Sequence, residues 1–118
     1  MDEFSLQKLE EKIKARIREE SPGLYGILDL SCKRAEKKSC IRLLLEKPEK
    51  FVEVLSTMYD EGTLFLIVRW NFIRPIFEML GIEDYYLEES LTDLLFEDPQ
   101  EFKEKLDKLL NDFGKRFL

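Results

Sequence analysis

The side chains in this chain that could do chemistry are few, and their spacing narrows them further. None of the 118 residues is a histidine, so the commonest general base and metal ligand is missing. A serine or cysteine nucleophile would have to take its proton acceptor from Lys or a carboxylate. Cys32 and Cys40 lie eight residues apart, which is neither a redox nor a zinc pair, and two cysteines are too few for a disulfide framework. They read as buried thiols of a reduced protein, about 80° apart around one helix. Glu83-Asp84 and Glu88-Glu89 lack the ligand spacing of a metal loop and read as solvated acidic faces. The glycines are scattered as helix stops and form no phosphate-cradling loop. No catalytic residue, metal ligand or cofactor site is expected.

Two segments carry positive signals. Twelve of the seventeen residues from Leu64 to Leu80 are hydrophobic, but Arg69 and Arg74 inside the run argue against a membrane span. At about 100° per residue, Asn71, Arg74 and Glu78 share one side, where Arg74 and Glu78 are spaced to pair. Arg69 falls on the opposite side and needs an acid from elsewhere. Beside Trp70, it reads as the site of an anionic ligand or as an interface anchor, since Arg and Trp are enriched in interfaces. A helix apolar on nearly all sides must be surrounded, which predicts a homodimer through Leu64 to Leu80 with Trp70 and Phe77 as anchors. The second segment is basic. Lys33, Arg34, Lys37, Lys38 and Arg42 against Glu36 give residues 31–42 a net charge of +4, a candidate anion dock in an acidic chain.

The elements that must position these residues read as helices. Phe4, Leu6, Leu9, Ile13 and Ile17 repeat at helical spacing up to Glu20, and Ser21-Pro22-Gly23 breaks the run. A second run from Leu24 to Ala35 bends or ends in the polar stretch Lys33 to Ser39. Pro48 opens a helix faced by Phe51, Val52, Val54, Leu55 and Met58, and Gly62 stops it. Thr63 is the expected cap of the Leu64–Leu80 helix, Pro75 should kink or split it, and Gly81 is placed for a left-handed C-cap with Ile82 as its hydrophobic contact. Ser90 with Asp93 resembles a capping box, and Asp98-Pro99-Gln100-Glu101 starts a last helix that runs to about Phe113 and closes at Gly114. No window alternates with period two. The expected fold is all-α: one domain over residues 1–118, a multihelical bundle of six or seven helices around the apolar helix 64–80.

Charge and composition bound the partners. A net charge of −6 opposes the counterion release that drives nucleic-acid binding, so no nucleic-acid or membrane partner is expected. The start of the chain lacks a leader pattern and predicts a cytoplasmic protein. Only two Asn and two Gln, with abundant Glu and Lys, point to a thermophilic source. Residues 39–61 and 90–112 also align at an offset of 51, sharing Leu43/Leu94, Leu44/Leu95, Pro48/Pro99, Phe51/Phe102 and Leu55/Leu106 among others. A duplicated helical hairpin accounts for this, and so does convergence of two amphipathic pairs on similar caps.

The run PEKFVEVLSTMYDEGTLFLIVRWNFIRPIFEMLGI, Pro48 to Ile82, joins a proline-started helix carrying Phe-x-x-x-Leu to an apolar helix ending in Leu-Gly. Over about a third of the chain it resembles small helical domains of archaeal proteins, including the family named as a Nitrosopumilus output domain. The resemblance implies an archaeal signalling output or interaction module and transfers no functional residue. Two functions follow from the residues: a helical interaction or oligomerisation module without catalytic activity, or a sensor holding a small anion at Arg69 or in the segment 33–42.

Overall fold

Proline and aspartate starts divide the chain into helices short enough to fold back on one another. The computed structural model describes the backbone of residues 3–117 and the side chains of residues 3, 4 and 6–113. In order these are α1 (Glu3–Glu20), α2 (Pro22–Glu36), α3 (Cys40–Glu46), α4 (Pro48–Leu55), α5 (Glu61–Val68), a π-helical segment (Arg69–Ile73), α6 (Arg74–Leu80), α7 (Tyr85–Glu97) and α8 (Pro99–Phe117). Because α5, the π segment and α6 are continuous, the described residues form seven helices and no strand. The chain is an all-α multihelical bundle. Among the described residues no helix is long and apolar enough to cross a membrane.

Amphipathic spacing decides the core. Leu9, Ile13 and Ile17 of α1, Phe51 and Leu55 of α4, Phe72, Ile76 and Phe77 of the central helix, Leu91 and Leu95 of α7, and Phe102 and Leu106 of α8 are all buried. Phe51 meets Phe72 edge to face at 5.3 Å, and burying each ring contributes roughly 2–3 kcal/mol. The central helix is not enclosed on all sides, however. Leu66 and Trp70 stay exposed because the neighbouring helices cover only its other flank.

Several boundaries depart from expectation. Asp60, not Thr63, caps α5: its carboxylate accepts the Thr63 amide at 2.8 Å and starts the helix one turn earlier, which puts Thr63 inside it. Asp84 likewise caps α7 through the Leu87 amide, which leaves Ser90 inside the helix rather than at its start. Met58 lies beyond α4, and α8 passes through Gly114 to Phe117, as a helix with strong flanking turns tolerates one glycine. Gly81 meets expectation: its φ is +73°, and the Ile82 amide reaches back to the Phe77 carbonyl at 2.9 Å. Lys37, at φ +59°, ends α2 in the same left-handed conformation but carries a Cβ. Opposite signs are therefore expected for two substitutions. Gly81→Ala should cost about 1 kcal/mol, and Lys37→Gly should gain up to about 1 kcal/mol, read as denaturation midpoints.

The two aligned segments share a junction. Lys47 (φ −138°, ψ 70°) and Asp98 (φ −148°, ψ 81°) join their helix pairs in one conformation. Their amides reach back to Leu43 and Leu94 at 2.8 and 2.7 Å, and Phe51 and Phe102 then donate to the junction carbonyls. Ser39 and Ser90 differ, the first capping α3 and the second lying within α7.

The cysteines overturn their expectation. α2 ends at Glu36, so Cys32 and Cys40 sit on different helices, and the reversal at Lys37 brings their Cα atoms to 5.3 Å, where they form a disulfide. Buried Asp29 stands beside it, accepting the Cys40 amide at 2.9 Å, pairing with Lys33 at 2.9 Å and taking the Tyr25 hydroxyl at 3.3 Å. Burial by itself pushes the Asp29 carboxyl up, but the Cys40 amide and Lys33 outweigh it and hold the group below its ordinary value. Glu46 is lowered in the same way: Lys38 and Arg42 overcome the effect of burial. A depressed folded value stabilises the protein above the unfolded value and stops doing so as pH falls through the folded one. Denaturant midpoints should therefore hold down to about pH 4.5 and drop below it, and Asp29→Asn should flatten that drop. An unchanged acid slope in the variant would remove Asp29 from the account.

Candidate functional site

Pro75 creates the geometry at the centre of the molecule. In an unbroken α-helix its ring would strike the Asn71 carbonyl, and it donates no amide. The preceding turn widens instead into the π segment, and the Arg74 amide reaches the Arg69 carbonyl five residues back. The Asn71 side chain donates to the Ile67 carbonyl at 3.0 Å and fills part of the widened ladder. Residues five apart point about 140° away from each other in an α-helix, whereas a π turn, with more residues per turn, swings them toward the same side. Arg69 and Arg74 thereby reach one acceptor.

That acceptor is Glu88 of α7. Its carboxylate takes Arg69 Nε at 3.0 Å, Arg74 Nη2 at 3.1 Å and Arg74 Nε at 3.3 Å, and the residue is 3% exposed. Arg69 Nη1 also lies 3.9 Å from Glu89. The Arg74 guanidinium is 3.8 Å from the centre of the Trp70 ring and 5.1 Å from that of Tyr85, a cation held between two aromatic faces. Trp70 is 48% exposed, and Tyr85 and Tyr86 are more open still. Clefts of about 330 and 170 Å³ flank Arg74, lined by Glu20 and Glu78 on one side and by Glu83 and Asp84 on the other.

Three expectations change here. Arg74 does not pair with Glu78, because the widened turn swings it toward α7, and Glu78 is instead held by Arg16 of α1 through Nε at 3.0 Å. Glu88 is no solvated acid. It lies one turn before Leu91 and two before Leu95 on the inner face of α7, a spacing the sequence already displayed. Phe77 is 1% exposed inside the chain's own core, so it cannot anchor a partner. Arg69, Trp70 and Arg74 do come together, with Tyr85 and Glu88 as members that sequence reasoning missed.

The basic segment disperses. Lys33 pairs with Asp29, Lys38 with Glu46 at 3.0 Å, and Arg42 with Glu3 and Glu10 at 2.8 and 3.1 Å. Glu3 and Glu10 also hold the Arg42 guanidinium well above its ordinary value. Arg34 and Lys37 are left without an ion pair among the described residues. Also among the described residues, no group of three or more acids and cysteines is arranged to hold a metal ion. No protein family, curated protein or solved structure matches this chain.

Proposed function

We propose that this chain is a non-catalytic helical interaction module that captures a cationic segment of a partner protein on the exposed ridge formed by Trp70, Arg74 and Tyr85. The carrying observation is the Arg74 guanidinium fixed between Trp70 and Tyr85 and tied to buried Glu88. Exposed aromatics that are already held lose little conformational freedom on binding, which is what an interface hot spot needs. Glu83 and Asp84, which line the cleft beside Tyr85 and pair with no cation among the described residues, favour a Lys- or Arg-bearing segment over an acidic one.

The sensor reading has weaker support at Arg69. That cation and Arg74 already share an internal carboxylate, with Glu89 close by, so little positive charge is free for an anion. A cytoplasmic protein of a hot environment, as amide-poor composition suggests, is compatible with a buried disulfide, since intracellular disulfides persist in hyperthermophiles. A signalling output role, the implication of the archaeal resemblance, would employ the same ridge.

Trp70 is the single tryptophan, so its fluorescence reports on the ridge directly. Titration with a lysine-rich helical peptide should shift its emission, and a glutamate-rich peptide of the same length should not. Tyr85→Ala should weaken the binding about 30-fold or more with little loss of thermal stability. Equal responses to both peptides, or to neither, would defeat the proposal. A shift that depends only on protein concentration would give the ridge to a second copy instead.

A further inference from the structure

We propose a separate surface: the outward face of α2 joins two copies of this chain, packed antiparallel across a two-fold axis. The inner face of α2 is spent on the core through Tyr25, Leu28 and Cys32. Its outer face presents Ile27 at 56% and Leu30 at 50% exposure, an apolar pair one turn apart at the middle of the helix. Met58 extends the patch, with its sulfur 3.1 Å from the Ser31 hydroxyl, which itself donates to the Ile27 carbonyl.

Charge selects the occupant. Glu19, Glu20 and Glu78 share Arg16 at the start of α2 and, even with Arg18 over Tyr25, leave that end net negative. Arg34 and Lys37 stand at the far end beside Lys33, which Asp29 holds. A second α2 laid antiparallel sets the basic end of each copy along the acidic end of the other and places Ile27 opposite Leu30 of the second copy. Both contacts occur twice, so the surface complements itself as a two-fold dimer requires. Arg34 and Lys37, without an ion pair among the described residues, are the cations left to make them. A foreign acidic helix would satisfy the basic end only and would meet Glu19 and Glu20 with like charge.

Gly26 supplies an independent check. It lies inside the helix, and a Cβ built there meets nothing within 4 Å, so no packing within the chain calls for a glycine. Glycine is among the poorest helix formers, and at this position it lets a second backbone approach closely.

Sedimentation equilibrium of the full chain at about 100 µM, a hundredfold above a micromolar Kd, should show a dimer that weakens as salt is added. Ile27→Glu should weaken it about 30-fold or more while the melting temperature of the dilute protein stays within a few degrees. Trp70→Glu should leave the dimer intact. Gly26→Ala should raise the melting temperature of the dilute monomer by a few degrees and weaken the dimer, two effects of opposite sense. A wild-type monomer at that concentration overturns the proposal. So does a dimer that survives Ile27→Glu but not Trp70→Glu, or a Gly26→Ala variant that associates like wild type. Binding of a glutamate-rich helical peptide to a wild-type monomer would assign the face to a foreign partner and overturn it equally.

Discussion

Glu88→Ala should lower the melting temperature by about 12 °C. The substitution leaves two guanidiniums, each about a fifth to a quarter exposed, facing each other with no shared counter-charge. Removing one member of a buried ionic group costs about 3–5 kcal/mol, and partial exposure of the arginines places this case near 3. For a chain of this length each kcal/mol moves the midpoint by about 4 °C. Glu88→Gln keeps the shape but turns an amide donor toward the arginines, so it should fall between wild type and Ala. Trp70 provides a second readout. If Glu88 holds Arg74 on the indole, both variants should change the emission of the folded protein before any unfolding begins. A midpoint within 2 °C of wild type, with unchanged emission, would show that the three-residue cluster adds nothing to the fold.

Reduction of the Cys32–Cys40 disulfide should have nearly as large an effect. The bridge spans a sequence separation of eight, and closing so short a loop in the unfolded chain stabilises the native state by roughly 2.5 kcal/mol. That corresponds to about 10 °C. Both sulfurs are buried, so the native protein should resist a dithiol reductant until it opens, and a heating scan in reductant should show the earlier transition. A variant with Cys32→Ala and Cys40→Ala should melt at the lower temperature with or without reductant. Thiol counting on the denatured, non-reduced chain checks the premise. Two free thiols, or coincident melting curves, would refute it.

Much of the fold was legible because it is local. Pro48 and Pro99 each open a helix, since a missing amide is harmless in a first turn, and Gly81 ends one because its φ of +73° suits a residue without Cβ. Pro22, read as part of a break, opens α2 in the same way two residues before the expected Leu24. Helical spacing likewise picked out Leu9, Ile13 and Ile17, and Phe51 with Leu55, as core residues. The caps were harder to read. Asp60 and Asp84 set the starts instead of Thr63 and Ser90 because each stands earlier in the chain and caps its own first turn, so the helix is already under way where the later hydroxyl lies.

The site was legible only in part. The requirement that Arg69 find an acid from another element could be stated from angular position alone, and Pro75 announced a break. Pro75 did not say which form the break would take, and that the two arginines the π turn brings together would share Glu88 depended on which side α7 packs. Burial of Glu88 was written in its spacing to Leu91 and Leu95, but its acidic neighbour Glu89 made the pair look like a solvated face.

The sequence by itself determined that this chain is helical, where most of its helices start, and which residue types it has for chemistry, because those depend on contacts within a turn or two. Tertiary structure alone decided that two arginines share one carboxylate between exposed aromatics, that two cysteines on separate helices meet, and that Phe77 is core while Trp70 and Ile27 are surface. Each of these is a contact between elements distant in sequence or a choice among nearly equivalent helix faces, and periodicity within one helix carries no information on which neighbour covers which face.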